Sequence, residues 1–275
     1  MDDPTTSVSS VSPPKEVSDA PAQKPIVGEW NVLEASIGQR GCGKSTYQAA
    51  RAHELAIEAG GAYVIGHSLG QRMPERLPPE LGLGDIKLPI VYHTSIAKLE
   101  KGLNRDPGKW HILAPPLPEE RGHHDGNEPV DTADDLLRWS VRLSFAIRKQ
   151  AWQREHPMRF WRDGQRTLGL RATPIIMILD EGIAVEAAST GARSRGDDKW
   201  FLQYIYSLRH MHIALLYSIQ EPTSRSWRVL EAATAIHVFK SKHQWSLNAI
   251  EACGASPEQM EEIRALRPFE RVTLR

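Results

Sequence analysis

The chain has 275 residues, enough for one large domain or two small ones. Its hydrophobic content of 40% and charged content of 25% are typical of a globular protein, and its formal net charge of zero says nothing about partners. The composition excludes a membrane-spanning helix, because no apolar run approaches ~18 residues. Cys42 and Cys253 are too few for a disulfide framework or a zinc site, which favours a reducing cytoplasm.

The N-terminal half begins with a segment that lacks apolar periodicity. Residues 1–26 are rich in Ser, Pro, Thr and Asp, which predicts a disordered tail, and their start lacks the features of a signal peptide. A short apolar run at 30–37 leads into a glycine loop, and the helix after the loop ends at Gly60 and Gly61. The next predicted elements are a buried strand at 62–68, a helix at 94–103, a strand at 110–115 and a loop at 115–131.

A long helix is predicted from Thr132 to about His156, because Asp131 or Thr132 can cap it. The elements predicted after it are a strand at 173–182, a helix at 198–210, a strand at 213–220, a helix at 226–234, a strand at 235–242, two short helices and a strand at 269–275. This alternation, with central strands that are apolar throughout, is typical of a parallel sheet covered on both faces. The predicted fold class is therefore α/β.

The glycine loop carries the strongest chemical signal. IGQRGCGKST, residues 37–46, fits the pattern G-x-x-x-x-G-K-[ST] in full, after a strand and before a helix. Glycines let the backbone turn its N–H groups onto phosphates, and the helix adds its positive end. Lys44 is predicted to reach the β- and γ-phosphates, and the Ser45 hydroxyl to hold Mg²⁺. The predicted nucleotide-binding residues are Gly38, Gln39, Arg40, Gly41, Cys42, Gly43, Lys44, Ser45 and Thr46.

Asp180 and Glu181 close the apolar strand IIMIL. An aspartate in this place supports the magnesium shell of a phosphate-loop site. An adjacent glutamate can orient and polarise an attacking water, so the pair predicts hydrolysis rather than transfer to another acceptor.

Gln220 ends the next apolar strand, on the ligand side of a parallel sheet, where it can sense the γ-phosphate or the water. A plain strand terminus is the alternative for this residue. Arg209 lies just before that strand, at the opposite edge, where it can enter a neighbouring subunit's site as an arginine finger. Four other arginines compete for this role: Arg193, Arg195, Arg225 and Arg228.

Residues 138–171 hold nine Lys and Arg against two acidic residues, with aromatic residues between them. Cations neutralise a nucleic-acid backbone and aromatic rings stack on bases, so the segment is a candidate DNA contact. A helix core is the alternative, because Phe145 and Trp152 fall near helical spacing with Leu137 and Val141. The predicted DNA-binding residues are Arg142 and Lys149 here, and Arg193 and Arg195 in the loop 189–198.

One competing motif is GHSLG at 66–70, which fits the G-x-S-x-G elbow of lipases. Prolines at 74, 78 and 79 interrupt the helix that should follow the elbow, and no HGGG-type oxyanion loop precedes it. A sharp turn after a strand explains its glycines. The chain also lacks an H-E-x-x-H zinc motif, an NKxD guanine motif and an LSGGQ transporter signature.

The order of these parts resembles the FtsK–HerA superfamily of DNA-pumping ATPases. The resemblance covers roughly residues 28–275 and rests on the phosphate loop, IIMILDEG, SLRHMHIALLYSIQEP and the tail AIHVFKSK…ALRPFERVTL. It implies a RecA-like P-loop ATPase of the ASCE type over 27–275. It departs at the end of the second strand, where relatives often have an acidic residue and this chain has GHS.

Within the superfamily, the compact chain is similar to the genome-packaging ATPases of tailless, membrane-containing icosahedral viruses. That resemblance implies ATP and Mg²⁺ as cofactors and a pentameric or hexameric ring that pushes double-stranded DNA into a procapsid. It also implies partner proteins at a capsid vertex or membrane, and a place in the host cytoplasm or at the virion's packaging vertex. The alternatives are an ATPase of conjugative DNA transfer or phage assembly, and a slowly hydrolysing nucleotide-gated scaffold.

Overall fold

The computed structural model describes residues 32–68, 73–79, 85–115, 132, 135–144, 146, 174–180, 205–206, 208–220, 224–242 and 244–274. The strands are β1 (Leu33–Ile37), β2 (Tyr63–His67), β3 (Arg76–Leu77), β4 (Ile86–Lys87), β5 (Ile90–His93), β6 (Trp110–Leu113), β7 (Ile175–Leu179), β8 (Ile213–Ile219), β9 (Ala235–Phe239) and β10 (Arg271–Leu274). The helices with full bounds are α1 (Lys44–Glu58), α2 (Ile96–Arg105), α3 (Ser224–Ala232), α4 (Gln244–Ala252) and α5 (Pro257–Ala265). Residues 135–144 are also helical.

Within these described residues, one sheet has eight strands in the order β10-β9-β1-β8-β7-β2-β6-β5. Every pairing in it is parallel except that of β10 with β9. The strand before the glycine loop, β1, is separated from the Asp180 strand, β7, by the single strand β8. This is the RecA-like arrangement, and the predicted α/β fold class is confirmed.

The central strands are buried on both faces, as is usual for parallel strands whose crossover helices cover the sheet. All seven residues of β8 and all five of β7 are buried, as continuous runs of β-branched and aliphatic side chains favour. On one face, α1 packs its alanines and Leu55 against β7 and β8. On the other face, α2 packs against β5 and β6 and α3 against β1, and both share one buried core with the helical residues 135–144 and with β7 and β8. The carboxyl ends of β1, β7 and β8 consequently meet at one edge beside the start of α1.

Several elements differ from the sequence predictions. Strand β5 and the short antiparallel pair β3–β4 were not predicted. Residues 208–211, predicted as the end of an α-helix, form a 3₁₀ turn. The strand predicted at 235–242 ends at Phe239. The predicted tail 1–26, the loop from 116 to 131 and the helix beyond residue 146 lie outside the described residues. Among those described, no helix is both long and apolar enough to cross a bilayer.

Candidate functional site

The glycine loop is fixed between two strand ends and opens directly into α1. Gly38 N donates to Ile219 O at 3.2 Å, and Gln39 N donates to Lys240 O at 3.1 Å. Gly41 and Gly43 have φ angles of 76° and 104°, which other residues rarely adopt. The loop can therefore turn sharply and place its backbone at the positive end of α1, as an anion site requires.

Lys44 lies across the mouth of this loop, with its side chain only 6% exposed. Its Nζ donates to Gly38 O at 2.7 Å and to Gln39 O at 3.0 Å. These carbonyls belong to the same loop whose amides would face a phosphate. The ammonium group is thus held at the position where a β- or γ-phosphate oxygen would receive its hydrogen bonds.

Asp180 follows β7 and meets the first turn of α1. The Ser45 hydroxyl lies 3.0 Å from Oδ1 and 2.8 Å from Oδ2 of Asp180, and the aspartate is 3% exposed. Ser218, fully buried on β8, donates a second hydrogen bond to Oδ1 at 3.0 Å. A hydroxyl and a carboxylate this close are the hard oxygen ligands that Mg²⁺ takes together with substrate phosphates.

The donor set therefore fits magnesium bound mainly through the nucleotide. No cluster of three or more His, Cys, Asp or Glu among the described residues forms a metal cage, and Mg²⁺ ordinarily needs only one or two carboxylates plus phosphates. Ser218 is a site residue that the sequence analysis missed. Its signal is a buried hydroxyl in the otherwise apolar run IALLYSI, two residues before Gln220.

Gln220 lies at the end of β8 and borders the same cavity as the loop. The cavity has a volume of about 280 Å³ and is lined by Arg40, Gly41, Gly43, Lys44, Ser45, Thr46, Pro74, Asp180, Gln220 and Phe269. The structure thus places Gln220 in the wall of the cavity beside the glycine loop. Arg40 is exposed at its rim.

Cys42, the loop's least expected residue, is buried against Tyr47 and Phe239. Burial raises the pKa of its thiol, and Lys44 Nζ lies 3.9 Å from its sulfur. A buried, protonated thiol is a small packing residue rather than a nucleophile. Cys42 therefore anchors the loop on β9 through its side chain and contributes its backbone to the site.

Arg209 falls in the 3₁₀ turn Leu208–Met211, which precedes β8. The strand spans about 20 Å at the usual rise per residue, so its two ends lie at opposite edges of the sheet, with Gln220 at the loop edge. Arg225 and Arg228 lie in α3. The side chains of these three arginines, together with Glu181, Arg193, Arg195, Lys149 and the loop 189–198, lie outside the described residues.

The basic and aromatic segment is described only in its first part. Leu137, Trp139 and Val141 are buried in the core that covers β1, β7 and β8. Leu137 and Val141 thus belong to the core, as the helix-core alternative expects, and Trp139 is buried with them. Arg142 is exposed on the same helix and remains a predicted DNA contact. Phe145, Trp152, Phe160 and Trp161 lie outside the part of the chain that the structure describes.

The G-x-S-x-G motif does not form a nucleophile elbow. Ser68 is 1% exposed, and its N–H donates to Leu113 O at 3.0 Å, which continues the pairing of β2 with β6. An elbow serine must instead present its hydroxyl above a tight strand-to-helix turn. His67 beside it is also buried, and burial lowers its pKa to about 4.

No protein-family model matches the chain, and no curated protein matches it. Solved structures with a similar fold include the genome packaging NTPase B204 from Sulfolobus turreted icosahedral virus 2 in complex with ATP-gammaS, at 13% identity and a TM-score of 0.49, covering 88% of this chain and 91% of that one. EssC (ATPases 2 and 3) from Geobacillus thermodenitrificans matches at 12% identity and a TM-score of 0.44, covering 89% of this chain and 38% of that one. The pCW3 conjugation coupling protein TcpA with ATPgS matches at 14% identity and a TM-score of 0.41, covering 83% of this chain and 54% of that one.

Proposed function

We propose that the chain is a Mg²⁺-dependent ATPase whose domain spans 27–275 and drives double-stranded DNA into a viral procapsid. The observation that carries the ATPase assignment is the contact of Ser45 with Asp180 at the mouth of the glycine loop, 2.8–3.0 Å between their oxygens. This contact joins the two halves of a nucleotide site that lie 135 residues apart in sequence. A chance glycine loop at a helix start would have no reason to meet a buried carboxylate.

The side chains act on the nucleotide in distinct ways. Lys44 exchanges its two loop carbonyls for β- and γ-phosphate oxygens. A bound Mg²⁺ would neutralise the charge that develops on the phosphates. Ser45 and Asp180 would be the protein ligands of the ion, and the hydrogen bond from Ser218 fixes the carboxylate of Asp180 in place.

Glu181 follows Asp180 directly in the sequence and is the proposed base that orients and polarises the attacking water. Gln220 borders the cavity, so it is the proposed sensor of the γ-phosphate. Hydrolysis needs a water aligned with the breaking bond, and these two residues are proposed to supply that alignment.

The proposed assembly is a pentameric or hexameric ring with ATP bound at subunit interfaces. Arg209 precedes β8 at the edge remote from its own loop, which suits a finger that enters the neighbouring site. Arg142, Lys149, Arg193 and Arg195 are the proposed DNA contacts. The order of motifs along the chain resembles that of DNA-pumping ATPases, and the proposed ring works in the host cytoplasm against partners at a capsid vertex.

The first experiment measures ATP turnover in Mg²⁺ buffer with and without double-stranded DNA. We expect DNA to accelerate turnover at low salt and the acceleration to fade as salt rises, because phosphate contacts release counterions. Glu181→Gln should bind ATP without turning it over, and Asp180→Asn should lose Mg²⁺-dependent turnover. Turnover that is indifferent to DNA at low salt would exclude the motor while leaving the ATPase assignment standing.

The second experiment tests movement and the shared site. Displacement of a third strand from a DNA triplex reports translocation and should require ATP hydrolysis. Arg209→Ala should be inactive alone and partly active when mixed with Lys44→Ala, because some interfaces then combine an intact loop with an intact arginine. Absence of this rescue, with both variants assembled normally, assigns the finger to another arginine.

A further inference from the structure

Phe269 has an unusual backbone and an unusual exposure for an aromatic residue. Its φ is 70°, in the left-handed region that bulky residues rarely adopt. Its side chain is 59% exposed, although most large apolar side chains of the described residues are buried. Such strain persists only where the surrounding structure enforces it, and it concentrates at ligand sites.

The surrounding structure here is the glycine loop itself. Phe269 N donates to Cys42 O at 2.9 Å, which ties the turn before β10 to the loop. A Cβ added to Gly43 would lie 2.6 Å from Phe269 Cδ1, so the ring packs directly against the loop backbone. The exposed part of the ring faces the cavity that Lys44 and Asp180 also line.

The strand order decides which end of a nucleotide would meet this ring. Strands β8 and β7, the second of which ends at Asp180, lie on one side of β1, whereas β9 and β10 lie on the other side. Ser45 and Asp180 would hold a magnesium ion on the β7 and β8 side of the loop, so the terminal phosphates of a bound nucleotide would lie on that side. The nucleoside of such a nucleotide would then extend toward β9 and β10, on the side where Phe269 lines the cavity.

We propose that Phe269 is the stacking platform for the nucleobase. This inference rests on the proposed nucleotide site and deepens it. A ring contacts the π face that every base has and does not read the hydrogen-bonding edge. The platform therefore stabilises any nucleoside triphosphate, and it contributes nothing to the binding of inorganic triphosphate, which has no base.

Titration calorimetry with the full chain and Mg²⁺ tests this with three ligands: ATP, GTP and inorganic triphosphate. Phe269→Ala should weaken ATP and GTP alike, roughly 5- to 150-fold, from the usual effect of removing an aromatic stacking partner. Triphosphate affinity should stay within about two-fold. Phe269→Trp should restore ATP binding, and Ile57→Ala, which removes an exposed apolar side chain near the far end of α1, should change none of the three.

The outcomes separate the platform from the site itself. If Phe269→Ala binds ATP as well as the unmodified chain does, or loses ATP and triphosphate equally, the ring does not stack on the base. The second of these results would mean that Phe269 only shapes the loop. If the unmodified chain binds inorganic triphosphate at least as tightly as it binds ATP, the stacking platform is wrong but the phosphate site stands. If it binds none of the ligands, the proposed function fails as well.

Discussion

His67 should make the protein sensitive to mild acid. It ends β2, is 2% exposed, and neither of its ring nitrogens has a hydrogen-bond partner among the described residues. Burial lowers its pKa to about 4. The imidazole is therefore neutral in the folded protein at pH 5, whereas a histidine of the unfolded chain, with a pKa near 6.5, is already protonated.

The magnitude follows from these two values. Above pH 6.5 His67 is neutral in both the folded and the unfolded chain, so protonation costs the fold no stability there. Between pH 6.5 and 4 the unfolded chain binds a proton that the folded chain does not, and stability falls as the pH falls. The limiting loss is ~3 kcal/mol for a difference of about 2.5 pH units, and ~2 kcal/mol of it is lost by pH 5.

Urea unfolding at pH 8 and pH 5 measures the effect on the original chain and on His67→Leu and His67→Asn. Between pH 8 and pH 5, the free energy of unfolding of both variants should fall by about 2 kcal/mol less than that of the original chain. His93 has a pKa lowered to about 4 and His111 a lowered one, chiefly through burial, but both residues are present in all three proteins and their effects cancel. At pH 8, Leu should be more stable than Asn, because it leaves no buried polar group unpaired. An equal acid loss in His67→Leu would refute a buried neutral imidazole.

Three further substitutions test the site and its support. Ser218→Ala removes a hydrogen bond to Asp180 and should weaken Mg²⁺-ATP binding, measured by calorimetry, by about ten-fold. In a chelator that removes Mg²⁺, the variant and the original chain should bind ATP with similar affinity. Gly43→Ala adds a Cβ where φ is 104° and the ring of Phe269 lies 2.6 Å away, so affinity for inorganic triphosphate should fall. Glu34→Gln weakens charged hydrogen bonds and should lower the free energy of unfolding in urea by about 2 kcal/mol. Burial alone would raise the pKa of Glu34, but hydrogen bonds with His237 and Arg51 lower it. Unchanged values in these assays would contradict the respective contacts.

The parts that could be predicted from sequence are those encoded locally. The runs IIMIL and IALLYSI are apolar at nearly every position, and short apolar runs rich in β-branched and aliphatic residues are typical of buried parallel strands. The loop motif is equally local, because its glycines, Lys44 and Ser45 lie within eight residues. Strand β5 was missed because it is a short edge strand, only half-buried at each of its four positions, and gives no periodic signal.

The features that could not be predicted depend on long-range pairing. Strand β10 runs antiparallel to β9, and no pattern within FERVTLR gives its direction. That pairing is what returns Phe269 to the loop, 226 residues after Gly43 in the sequence. The meeting of Asp180 with Ser218 likewise follows from β7 lying beside β8, a neighbour relation that sequence order alone does not specify.

Strand β8 connects the two ends of the proposed mechanism. Its carboxyl end carries Ser218, bonded to Asp180, and Gln220, which borders the nucleotide cavity. Its amino end follows the turn that contains Arg209, the proposed finger for the next subunit. All seven residues of the strand are buried between β1 and β7, so it is held as one rigid unit. A shift of β8 when the γ-phosphate is lost would therefore move the arginine at the other edge, and Gln220→Ala should weaken the coupling between sites while a lone site still binds ATP.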